Sequence, residues 1–87
     1  ALTERRQILR LRVRIDDGPG KMADLSGIIA DYGANIHDVR HDRSVEDLDV
    51  GEAYLVFTVE ASGEEHTAAI LDGIESSGYD VDLATHA

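Results

Sequence analysis

Between residues 8 and 32 the spacing of apolar side chains changes once, from every second residue to every third or fourth. Leu9, Leu11, Val13 and Ile15 alternate with Arg10, Arg12 and Arg14, the period-two pattern of a half-buried strand. Met22, Leu25, Ile28, Ile29 and Tyr32 then recur at helical spacing, with Gly33 where a left-handed cap is expected. Joining the two is Asp16-Asp17-Gly18-Pro19-Gly20-Lys21-Met22. Pro19 suits the first helical position, because its missing N–H would be an orphan donor anyway and its fixed φ matches a helix. The amides of Gly20, Lys21 and Met22 are then expected to point out of the helix start. Glycines on both sides of Pro19 let another molecule approach this backbone closely. Open amides and a partial positive charge favour a carboxylate or phosphate, so a small anionic ligand is expected at this turn.

The rest of the chain repeats the scheme. Residues 35 to 43 read as a weakly alternating strand, charged enough to suit a sheet edge that must avoid uncontrolled pairing, and residues 44 to 50 read as an acidic loop. Residues 51 to 60 form the clearest strand, expected to be central, with Ala53, Leu55, Phe57 and Val59 on one side. Ser62 and Glu65 have the spacing of a capping box. The helix after them buries Thr67, Ile70, Leu71 and Ile74, runs to about residue 77, and is capped by Gly78. Residues 79 to 83 alternate as a short last strand, and residues 84 to 87 are expected to fray. The order β-α-β-β-α-β with right-handed crossovers gives an α+β, ferredoxin-like fold: a four-stranded antiparallel sheet with two helices on one face. The other face carries Arg10, Arg12 and Arg14 beside Glu52, Glu60, Asp80 and Asp82, expected to form cross-strand pairs. Tyr54 and Val56 stand out on that face as residues that could pack on a partner.

A chain of 87 residues has room for one domain and one modest core. It has no cysteine, which excludes disulfides and thiolate metal sites. No apolar run nears membrane-spanning length and no signal-peptide pattern appears, so a cytoplasmic location is expected. Eighteen acidic residues against eight basic ones leave a formal charge of −10, which argues against nucleic acid as a partner. The acids are scattered over the whole chain, a distribution that suits concentrated salt, where a Debye length of roughly 3 Å at 1 M mutes self-repulsion. Residues 1 to 7, with the run Leu2-Thr3-Glu4-Arg5-Arg6-Gln7, read as a linker or the end of a preceding helix, residues 8 to 84 as the domain, and residues 85 to 87 as a tail. A domain cut from a longer protein is therefore expected.

Strand, Asp-x-Pro-Gly turn, helix, then Gly33-Ala34-Asn35-Ile36 opening the next strand resembles the ACT domain, a small amino-acid-sensing regulatory module. The run from Gly33 to Arg43, the acidic loop and Val50-Gly51-Glu52 look most like the C-terminal domain of pyridoxal-phosphate-dependent threonine dehydratases. The resemblance implies a regulatory rather than catalytic chain, paired as a homodimer or higher homo-oligomer, that holds a small amino acid such as isoleucine at the interface. It implies that backbone amides of the turn formed by Asp17, Gly18, Pro19, Gly20 and Lys21 take the ligand's carboxylate, that Asn35 contacts the ligand's polar groups from the second strand, and that Ile36 is a second contact there. The effector would act on a catalytic domain of the parent enzyme, whose cofactor would be pyridoxal phosphate; the domain itself needs none. The family often has arginine or lysine before the proline, where this chain has Gly18, so backbone contacts survive and a side-chain contribution to ligand choice is lost.

His37 and His41 are expected on one side of their strand with Asp38 and Asp42 nearby, which invites a metal. Residues four apart on a strand lie about 13 Å apart, at ~3.3 Å each, too far to share one ion, and no metal site is expected. No Ser/His/Asp arrangement, P-loop or zinc-spaced cluster appears, and the only lysine, Lys21, sits at a helix start rather than in an apolar pocket that would support a Schiff base. Two other classes stay open: a ligand-free dimerisation module, and a small ferredoxin-like enzyme such as an acyl phosphatase.

Overall fold

The structure, a computed structural model, describes residues 6–16, 18–43 and 48–86. Strand β1 (Gln7–Asp16) is followed by helix α1 (Lys21–Asp31), β2 (Asn35–Asp42), β3 (Glu52–Ala61), α2 (Glu64–Ser76) and β4 (Asp80–His86). The sheet order is β2-β3-β1-β4, and every neighbouring pair is antiparallel. This is the expected ferredoxin-like arrangement, with the two most strictly alternating strands in the centre. Burial follows the alternation: Leu9, Leu11 and Val13 from β1 and Leu55, Phe57 and Val59 from β3 are fully buried, together with Leu25 and Ile29 of α1 and Ile70 and Ile74 of α2. Leu71 packs at the edge of this core. Met22 and Tyr32, expected on the buried stripe of α1, are 37% and 42% exposed; Met22 lies in the first turn of α1, and Tyr32, the residue after the helix, lays its ring against Gly73 of α2.

Both helices end alike. Gly33 (φ 78) and Gly78 (φ 95) take the left-handed conformation that glycine adopts without a Cβ penalty. The Gly33 N–H donates to the Ala30 carbonyl and the Ala34 N–H to Ile29, and Gly78 and Tyr79 do the same to Glu75 and Ile74. These are Schellman motifs, which satisfy carbonyls the helix cannot.

Four local expectations need correction. Pro19 is not the first helical residue: Gly20, at φ 86, is the N-cap and the helix begins at Lys21, because only glycine enters that backbone region freely. The open amides are therefore those of Lys21, Met22 and Ala23, since the Asp24 N–H is the first to bond back, to the Gly20 carbonyl at 2.9 Å. At α2 there is no capping box; Gly63 is the N-cap without a side-chain cap. Ser62 instead donates its N–H to His66 Nδ1 at 2.9 Å, which makes Nδ1 the acceptor and leaves Nε2–H to donate to the Tyr32 carbonyl, 2.5 Å away. In β2 the register slips between Ile36, opposite Val59, and Asp38, opposite Thr58, so His37 is an extra, bulged residue. The bulge lets Ile36 and Val39, three apart, both pack on the core, and it parts the histidines: His37 reaches Glu60 at 2.9 Å, whereas His41 stands opposite Leu55. A second slip, between Arg10 and Leu11, lets β4 continue past Leu83 to His86, where fraying was expected.

On the open face of the sheet the expected charge pairing is present for two of the three β1 arginines. Arg14 meets Glu52 through two nitrogens, at 2.8 and 3.2 Å, and Arg12 meets Asp82 at 3.7 Å. Arg12 also lies over the Tyr54 ring, 4.7 Å from its centroid, and Tyr54 is only 6% exposed. Tyr54 is therefore covered from within the chain and is not a free surface for a partner.

Candidate functional site

The β1–α1 turn emerges at the end of the sheet where Asp16 pairs with Glu52. Its glycines perform separate tasks. Gly18 closes a tight bend, donating its N–H to the Asp16 carbonyl at 2.7 Å, and Gly20 turns the chain into α1. Gly18, Pro19 and Gly20 are exposed, and a Cβ added at either glycine would meet nothing within 4 Å. The backbone here is open to a ligand, and the three unbonded amides of α1 supply donors at the positive end of the helix dipole. Asp17 lies outside the described residues.

Beside the turn is a cleft of about 270 Å³ bounded by Arg14, Asp16, Lys21, Glu52, Tyr79 and Asp80. The Lys21 ammonium lies over the Tyr79 ring, 5.9 Å from its centroid, within the range of a cation–π contact. Tyr79 donates its hydroxyl to Asp24 Oδ2 at 2.5 Å. That hydrogen bond, then burial, then the Asp24 charge push the Tyr79 phenol above its ordinary value of 10.0. At the cleft's other wall the hydrogen bond from Arg14 is the main cause holding the Glu52 carboxyl below its ordinary value of 4.5, with the Asp49 amide next. Sequence reasoning missed Tyr79 and Asp24. They are 55 positions apart, and neither periodicity nor a local motif links a residue after one helix to the first turn of another.

Asn35 and Ile36 are placed elsewhere. Asn35 pairs with Glu60, which pairs with Ile8 at the start of β1. The turn follows Asp16 at the far end of β1, eight steps or about 27 Å away at ~3.4 Å per residue. One chain therefore brings Gly18, Pro19, Gly20 and Lys21 together but does not bring Asn35 or Ile36 to them. Asn35 is exposed and Ile36 half-buried.

A family model described as the ACT domain matches residues 9–76, a span that takes in the turn, both helices and the opening of β2. The chain belongs to the ACT domain family. It is 36% identical over 75 residues to an L-threonine ammonia-lyase of Geobacter sulfurreducens, covering 86% of this chain and 19% of that protein. It is 35% identical over 65 residues to an L-threonine ammonia-lyase of Thermotoga maritima, covering 75% of this chain and 16% of that one. The ACT domain thus spans less than a fifth of the length of the curated relatives it matches. Among solved structures, prephenate dehydratase from Streptococcus mutans superposes with a TM-score of 0.74 at 20% identity, over 98% of this chain and 45% of the other. That likeness carries the fold alone.

Proposed function

We propose that this ACT domain is the effector-binding part of a threonine ammonia-lyase-like protein, holding a small amino acid such as isoleucine between two copies of itself. The observation that carries this reading is the placement of the site's two halves at opposite ends of one sheet. A twofold axis that sets β2 antiparallel to β2 of a second copy exchanges those ends, so that Asn35 of the partner subunit approaches the β1–α1 turn. The amides of Lys21, Met22 and Ala23 then take the effector's carboxylate, with the Lys21 ammonium beside them. Asn35 and Ile36 of the partner subunit receive its polar groups and side chain. With glycine at position 18 in place of a basic residue, recognition at this end is left to the backbone amides and Lys21.

The shared name of the two curated relatives supports a parent enzyme that deaminates threonine, regulated by ligation of this domain through a coupling typically worth about 1–3 kcal/mol. This reading assigns pyridoxal phosphate to a catalytic domain of that parent: Lys21, the only lysine of the sequence, holds its Nζ over Tyr79 in a cleft whose described lining is mostly charged, which does not suit a Schiff base.

A thermal-shift titration with isoleucine, valine, threonine and serine in molar KCl tests the proposal. A ligand at about 100 times its dissociation constant adds roughly 2.7 kcal/mol to stability, and a saturable shift with one of the four is expected. If none of them moves the transition, the domain is an assembly module and the sensing role fails.

A further inference from the structure

We propose that Tyr79 is a positioning residue for the effector site: it holds the Asp24 carboxylate away from the Lys21–Ala23 amides, keeping the positive end of α1 open to an incoming carboxylate. The inference rests on the effector-binding reading above and adds a residue on the side of the turn remote from β2. Asp24 is the acidic residue of the first turn of α1. Left free, its charge would lie close to the donors that a ligand needs and would repel an anion there. Tyr79 engages it directly, hydroxyl to Oδ2 at 2.5 Å.

Tyr79 is well placed to act as a fixed point. It follows Gly78, the left-handed cap of α2, and its N–H is tied to the Ile74 carbonyl at 3.3 Å. Its ring packs against the core and lies under the Lys21 ammonium. One aromatic side chain thus engages both charged side chains of the first turn of α1, donating a hydrogen bond to the anionic one and lying beneath the cationic one at the rim of the cleft. The raised phenol value agrees with a hydroxyl that keeps its proton in this contact.

Calorimetric titration with the same four amino acids tests the role, using wild type, Tyr79→Phe, Asp24→Asn and the double variant. Tyr79→Phe keeps the ring beneath Lys21 and deletes only the donor. The amino acid that binds wild type should bind it about tenfold more weakly, equivalent to about 1.4 kcal/mol. Asp24→Asn removes the charge that Tyr79 restrains, so the double variant should recover most of the lost affinity. A purely structural role predicts no such rescue. Equal affinity in wild type and Tyr79→Phe overturns the inference, and so does a double variant as weak as Tyr79→Phe. If wild type binds none of the four, the effector-binding reading itself falls and this inference falls with it, a result distinct from either of the others.

Discussion

Glu52 is gripped from two sides at the end of β3, by the Arg14 guanidinium at 2.8 Å and by the Asp49 N–H, also at 2.8 Å. Both contacts act on the charged form and depress the carboxyl's pKa below 4.5. A group of this kind contributes stability that is fully present above its unfolded value and disappears as pH falls through the lower folded one. Melting curves of wild type and Glu52→Gln should therefore be separated near neutrality and draw together in acid. A gap that keeps its size in strong acid would show that the ion pair is not its source. Tyr79 has the opposite sign: its phenol is raised above 10.0, so its contribution holds below that value and is lost as pH climbs through the folded one. Of these two contacts, only the first could be read from sequence. Arg14 and Glu52 lie on the same face of two strands whose alternation is plain, and a salt bridge between neighbouring strands follows from that. The Tyr79–Asp24 contact depends on how the α2–β4 connection meets α1, which no short stretch of residues records.

Among the elements, β1 and β3 were legible because they alternate strictly and pair with each other without interruption. The outer strands were less so, for a shared reason. Each carries one extra residue, His37 in β2 and Ala84 in β4, and an inserted residue shifts every later side chain to the other face. A period-two reading therefore weakens in β2 and stops short in β4. The helix starts were misread because glycine at positive φ does the work assigned to Pro19 and to Ser62. In the second case a histidine takes over: His66 receives the Ser62 N–H and gives its own N–H to the Tyr32 carbonyl, joining the start of α2 to the end of α1. His66→Ala removes both bonds at once. Chemical denaturation should show a loss of about 1 kcal/mol, the net worth of ordinary hydrogen bonds at a site that water can reach. A variant as stable as wild type would mean that water replaces the imidazole at no cost.

For the whole molecule, charge and architecture pull in different directions. A net charge of −10 on 87 residues favours expansion in dilute buffer, and attraction within the pairs on the open sheet face counters only part of that repulsion. The melting temperature should rise between dilute buffer and molar KCl as the Debye length shortens to roughly 3 Å; an unchanged value would remove the case for adaptation to salt. The βαββαβ order was readable from the sequence, and so was the open, glycine-flanked backbone of the turn. The distance between that turn and Asn35 was not, because it is a property of strand direction across the finished sheet. An amino acid held between opposite ends of two sheets would depend on mass action in the protein as well as in the ligand. Under the proposed pairing a twofold axis would create the sites in equal pairs, and both would be lost when the subunits separate. Saturation would then reinforce association, and a cell holding too few copies would lose its response to the metabolite however abundant that metabolite became.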